Sequence, residues 1–230
     1  VAAPAGQPPA AGGFVPGTPA AELAAGTAGP AGVSSSTVLF AVWLAAASLM
    51  AAYFLVSYGR ARRRFAASVR DESPAVRGWL AGQRLCRPLE VRQSAYVSSP
   101  LTYGVLRPVI LLPEDLDRDD EAALTCILTH EFVHIRRFDA LAKLAFAGAL
   151  CVHWFNPLVW AMYVLANRDL ELSCDERVMD ILGGGERAAY ALTLINMEES
   201  RSWGFSHYNH FSKLAIEERI EAIMKYKKAS

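Results

Sequence analysis

The sequence predicts an α+β protein that is mainly α, with a small β-sheet and one helix that crosses a membrane. Three observations carry this: an uncharged apolar run over residues 38–58, a stretch of β-branched and turn residues over 89–113, and a succession of apolar-periodic segments after residue 119. The 230 residues are 53% apolar, enough for one ordinary domain plus additional segments. Lys+Arg and Asp+Glu balance at 23 each, so net charge makes no case for direct nucleic-acid binding or for an acidic substrate. Cys86, Cys126, Cys151 and Cys174 are widely spaced, with no CxxC pair and no dense framework, and read as reduced thiols of a cytosolic or membrane setting. No basic, short-cored cleavable leader opens the chain, and we expect a fragment of a longer protein.

Taken in order, residues 1–36 are mostly Ala, Gly, Pro, Ser and Thr, with Glu22 the sole charged side chain. Such a stretch buries too little surface to offset the entropy of ordering it, and it reads as a flexible linker. Residues 37–58 read as a transmembrane helix, because about 20 apolar residues at ~1.5 Å rise cross the hydrocarbon layer. Trp43, Tyr53 and Tyr58 lie towards its ends, as interfacial aromatics do. Arg60, Arg62, Arg63 and Arg64 follow at once, whereas the preceding segment has no Lys or Arg. The positive-inside rule therefore sets residues 1–36 outside and residues from 60 onwards in the cytoplasm.

Residues 60–87 look helical and basic. Between 89 and 113, turns at Ser99-Pro100 and Arg107-Pro108 separate two or three short strands. Acidic residues from Glu114 to Asp120 then precede an apolar-periodic run, which marks a helix from near Asp119 to near Phe138. Residues 141–166 are apolar but interrupted by Lys143, His153, Asn156 and Pro157. They read as a helix, a break at Asn156-Pro157 and a second helix, lying in or against the membrane and packed on the preceding helix. A polar helical segment runs on to the glycines at 183–185. Residues 59–205 thus form one cytosol-facing domain, and 206–230 an amphipathic tail leading towards a further membrane span.

His130-Glu131-Phe132-Val133-His134 is an HExxH sequence within the helix marked out above. Residues i and i+4 stand one turn apart on one face, so both imidazoles can converge on one Zn²⁺. Glu131 is then beside the metal without binding it, free to take a proton from the water that zinc acidifies. Thr125, Leu128, Val133 and Ile135 make the other faces of the helix apolar, and burying two His and a Glu without partners is costly. A peptidase site needs a third protein ligand. The metzincin extension is excluded, because Arg137 and Ala140 stand where it needs Gly and His. Asp139, His153, Glu171, Cys174 and Asp175 are the remaining candidates. Glu171 is favoured, since Asp175 one turn on can hold a ligand imidazole from behind. The same pair also reads as part of a solvated acidic face with Asp169, Glu176 and Asp180. His153 is a candidate for oxyanion stabilisation, although a structural role at the helix break is favoured.

The runs SSPLTYGVLRPVILLPEDL, ILTHEFVHIRRFDALAK and HWFNPLVWAMYVLANRDLELSCDERV, in that order, resemble the BlaR/MecR family of integral-membrane zinc peptidases, metallopeptidase family 56. The resemblance covers roughly residues 37–224. It implies that His130, His134 and Glu171 bind zinc, that Glu131 is catalytic and that Asp175 supports the site. It also implies a gluzincin-like core related to those of the CAAX prenyl protease and HtpX. The peptidase domain is then expected to face the cytoplasm of a bacterial-type plasma membrane. Its partners would be membrane lipid and a protein or peptide substrate, either itself or a transcriptional repressor, with self-cleavage expected within residues 200–212. The chain departs from the best-known members in lacking a Ser-x-x-Lys acylation motif, so no penicillin-binding sensor lies within it. Two other classes stay open: a membrane signal transducer with a structural or sensory zinc, against which the intact Glu131 argues, and a soluble peptidase with residues 38–58 packed inside.

Overall fold

A computed structural model describes residues 34–202 and 209–227. Every contact reported below lies within the unit that begins at Phe40. Helix α1 spans Ser35–Ala66 and has no buried residue. Among the described residues it is the one helix long and apolar enough to cross a membrane. Its last turn carries Arg63 and Arg64, so the basic run continues the same helix instead of starting another.

The expectation of helix throughout 60–87 is corrected. After α1 the chain forms strand β1 (Val69–Arg70) and then a short helix, α2 (Pro74–Ala81). Ser73 accepts a hydrogen bond from the Val76 amide and Pro74 takes the first helical position, which together start α2 afresh. Strand β2 is Glu90–Ser94, β3 is Leu101–Tyr103 and β4 is Val109–Pro113. The sheet order is β1-β2-β4-β3, with β2 and β4 parallel and the outer pairs antiparallel. Gly104 closes the β3–β4 turn at φ +84°, and a Cβ there would meet the Arg107 carbonyl oxygen at 2.5 Å. Only glycine fits that turn.

Helix α3 (Glu121–Arg137) starts where Asp120 accepts from the Ala123 amide at 2.9 Å. It is buried on most of its circumference and divides two cores. Leu124, Ile127, Leu128 and Ile135 pack with Val91, Ile110 and Leu112 of the sheet and Val76 of α2. Cys126 and Val133 face the other core. Phe138 ends α3 in the left-handed region at φ 58° and leads directly into α4 (Asp139–Val152). That conformation is costly for a residue with a Cβ. Arg87 braces it: its guanidinium lies 4.0 Å from the Phe138 ring centre and donates to the Ile135 carbonyl at 2.7 Å and to the Val105 carbonyl.

The predicted break falls at Asn156, whose side chain accepts from the Leu158 amide, and Pro157 opens α5 (Pro157–Leu182). A 3-10 turn (Gly184–Glu186) leads to α6 (Arg187–Ser202), and α7 is Asn209–Lys225. The second core joins Cys174, Val178 and Met179 of α5, Tyr190, Ala191 and Leu194 of α6, and Ile223 of α7. Ile216 and Ile220 pack against the same core, so part of the apolar stripe of the tail segment covers it, while Leu214 and Met224 stay exposed.

Candidate metal centre

The two histidines of the motif reach the same point. His130 and His134 bring their Nε2 atoms to 3.1 Å, with the ring of His130 almost entirely buried. Helical spacing aligns them, and partners behind each ring aim them. His134 Nδ1 is 2.7 Å from Asp139 Oδ2. The left-handed corner at Phe138 starts α4 at Asp139 and so turns that carboxylate back onto α3. His130 Nδ1 is 2.9 Å from the Tyr190 hydroxyl, which donates to Asp175 Oδ1 at 2.6 Å. Asp175 Oδ1 itself lies 3.4 Å from His130 Nδ1. Both Nδ1 atoms thus face acceptors, which places a ring proton on each and turns the two Nε2 atoms towards one another.

The candidates for a third donor separate in space. Glu171 on α5 places Oε2 3.6 Å from His130 Nε2 and 3.6 Å from His134 Nε2, while Lys143 holds its other oxygen at 3.1 Å. Cys174, one turn on, also enters: ligand atoms of His130, His134 and Cys174 all lie within 4.8 Å of one another. Its sulfur, however, is 3.7 Å from His130 Nδ1 and donates to the His130 carbonyl at 3.6 Å, on the side of the ring already taken by Tyr190. Asp139 and Asp175 stand behind the imidazoles. His153 ends α4 at the exposed α4–α5 corner, with its ring against Phe155, and is outside the cluster.

Glu131 is buried beside the pair, and Thr102 of β3 donates to its Oε2 at 2.5 Å. Arg219 of α7 grips Asp175 through Nε at 2.6 Å and Nη2 at 2.8 Å, and its Nη1 is 3.9 Å from Glu171 Oε2. Thr102, Lys143, Tyr190 and Arg219 were invisible to spacing arguments, because each comes from a different element and carries no periodic signal. The cluster opens into a cleft of about 1580 Å³ whose walls include Tyr58 of α1, Tyr103 of β3, Leu144 of α4 and Leu165 of α5.

The electrostatics are those of a site that gathers positive charge. Burial opposes charging His134, but Asp139, then Cys174 and Glu171, outweigh it and lift its pKa to about 11. Burial likewise opposes a charged His130, yet the neighbouring Tyr190, Cys174 and Asp175 raise it well above the usual imidazole range. Glu171 moves the other way. Burial favours its neutral form, and the two imidazoles and Lys143 override that to hold it far below the usual carboxylate range. Asp175, pressed upward by burial, is drawn down to about 2 by Arg219 and His130.

A family description, BlaR1 peptidase M56, matches residues 20–223. The chain belongs to the BlaR1 peptidase M56 family. It is therefore a member of a metallopeptidase family, with a mainly helical fold, a small mixed sheet and, among the described residues, one candidate membrane helix. It is also similar to the "Regulatory protein BlaR1" of Bacillus licheniformis, at 32% identity over 143 residues, 60% of this chain and 24% of that protein. The chain spans about a quarter of the length of that relative.

The donor set fits a zinc ion. Imidazole and carboxylate donors about 2.0–2.1 Å from zinc in tetrahedral arrangement stand roughly 3.3 Å apart. The spacings of 3.1 Å between the two Nε2 atoms and 3.6 Å from each to Glu171 Oε2 bracket that value.

Proposed function

We propose that this chain is a membrane-anchored zinc endopeptidase in which His130, His134 and Glu171 hold the metal, Glu131 is the general base and Asp175 steadies His130 from behind. The observation that carries the reading is the convergence of two Nε2 atoms and one carboxylate oxygen beside a buried Glu131. Glu171 is preferred over Cys174 as third ligand because its oxygen is equally placed to both Nε2 atoms, whereas the thiol approaches His130 from the Nδ1 side. Bound there, zinc would polarise the scissile carbonyl and acidify water.

The chain's own groups do the rest. Glu131 accepts the proton of the attacking water and returns it to the leaving amine. Thr102, donating to Glu131 Oε2, fixes one carboxylate oxygen and leaves the other for water. Its neighbours in β3 form the outer edge of the sheet, where an extended peptide can pair through its main chain. Strand β4 offers no such edge, because it is covered by β2 on one side and β3 on the other.

Residues 37–58 serve as the membrane anchor in this reading, with residues 1–36 outside as a linker and the domain over 59–205 in the cytoplasm. The hydrophobic segment 141–166 lies against or in the lipid beside α1. Exposed Phe155 and Leu158, which lie outside the cleft, support that, as does the bond from Trp43 Nε1 to the Val152 carbonyl at 2.9 Å. The substrate is the chain itself or a cytosolic repressor, in regulatory proteolysis, and the similarity to a regulatory protein supports this role. Of the proposed cleavage stretch 200–212, residues 203–208 lie outside the described residues.

Zinc content and proteolysis, measured together in detergent for wild type and Glu131→Gln, test the proposal. Zinc in both with cutting reduced about 10²- to 10⁴-fold in the variant is expected. Zinc in both and cutting in neither would favour the signal-transducer reading, and zinc in neither removes the site.

A further inference from the structure

We propose that Arg219 is a positioning residue of the metal centre, so that helix α7 is a structural part of that centre; the inference rests on the zinc reading above. Asp175 lies 44 residues before Arg219 in the chain and has a side chain only 1% exposed. Both its oxygens are held in a fork: Nε of Arg219 donates to Oδ2 and Nη2 to Oδ1. Two parallel bonds to a planar guanidinium fix a carboxylate in rotation as well as position. The same Oδ1 receives the Tyr190 hydroxyl, whose oxygen faces His130 Nδ1. Arg219 therefore sets Asp175, Asp175 and Tyr190 set the imidazole, and the imidazole presents Nε2 to the metal.

Partners behind a ligand histidine act on affinity through ring orientation and donor strength. Here the final partner in the series comes from a different helix, one that follows the α6 segment and is seated by Ile223 in the core and by ion pairing of Glu218 with Arg168. The remaining nitrogen of Arg219, 3.9 Å from Glu171 Oε2, places its charge beside the third donor as well. Undocking of α7 leaves Asp175 buried and uncompensated, and the metal site loses definition on two of its three donors. A link of this kind makes metal retention conditional on the Arg219 fork that α7 presents.

The test is zinc affinity by chelator competition on the full chain in detergent, with the absorption spectrum of the cobalt(II)-loaded protein as a second readout. The variants are Arg219→Gln, Arg219→Lys, Asp175→Asn, the double Arg219→Gln/Asp175→Asn, and Tyr226→Phe, which loses the bond from Tyr226 to Asp180 at the end of α7. Arg219→Gln should weaken zinc binding by about 10- to 100-fold and alter the cobalt spectrum. Arg219→Lys, which keeps charge but not the fork, should fall between it and wild type, and it serves if the Gln variant does not fold. The double variant should bind about as well as Arg219→Gln alone, because the two residues act in series. Tyr226→Phe should stay within about twofold of wild type.

Wild-type affinity and spectrum in Arg219→Gln, or losses in the double variant that simply multiply, overturn the inference while leaving the zinc site standing. An equal loss in Tyr226→Phe overturns it too, since any loosening of α7 would then suffice. A wild type that takes up no zinc removes the metal reading and this inference together.

Discussion

At the scale of single residues, the centre depends on what stands behind its donors. Tyr190 bridges His130 and Asp175, so Tyr190→Phe removes a hydroxyl that both groups use. We expect zinc affinity to fall about 10- to 100-fold with the melting temperature lowered only slightly; chelator competition beside a thermal melt would show it, and unchanged affinity would exclude the bridge. The choice of third ligand separates in the same assay. Glu171→Gln should abolish tight zinc binding, while Cys174→Ser should retain it. The reverse pattern would transfer the third position to the thiol. The HExxH histidines and the Glu171, Asp175 pair could be raised as candidates from the sequence because helical spacing relates them. Tyr190, Thr102 and Lys143 were not, because no local pattern relates a residue of α6, β3 or α4 to one on α3.

At the scale of elements, boundaries with local chemical signals were legible. Asp120 starts α3, Asn156-Pro157 divides α4 from α5, and Gly183 ends α5, each where capping or proline chemistry dictates. The region 60–87 misled, since its charge suggested one basic helix whereas Ser73 and Pro74 restart the chain in α2. The strands were legible but their order was not. β4 is next to β2 and in parallel with it, and that non-local pairing decides which edge faces the site. The β3–β4 turn is where this arrangement is most exposed to mutation. Gly104→Ala forces a Cβ against the Arg107 carbonyl in a left-handed conformation, at a cost of about 1–3 kcal/mol. Stability by denaturant titration should drop by that amount, and turnover should fall as well, because β3 carries Thr102 to Glu131. Full stability in the Ala variant would mean that the turn tolerates a side chain.

At the scale of the whole molecule, the candidate membrane helix and the cleft are neighbours: Tyr58 of α1 lines the same cavity as His130 and Glu131. The active cleft in the proposed reading therefore opens at the base of the membrane helix. Cys86 is exposed, whereas Cys126 and Cys174 are buried, which provides a reporter of sidedness. In intact bacterial spheroplasts, Cys86 should resist a membrane-impermeant maleimide and react once the cells are lysed. Labelling before lysis, traced to Cys86 with a Cys86→Ser control, would reverse the orientation inferred from the arginines at 60–64.

The long apolar helix, the HExxH motif and the helix caps were all present in the linear order of residues, because each depends on side chains within a turn or two of one another or on composition alone. The seating of α7 against Asp175, the Tyr190 and Asp175 pair behind His130 and the choice of open sheet edge required the folded chain. Those features join residues 15 to 60 positions apart, and only burial, which makes an unpaired charge or hydroxyl expensive, determines which distant partner each one takes.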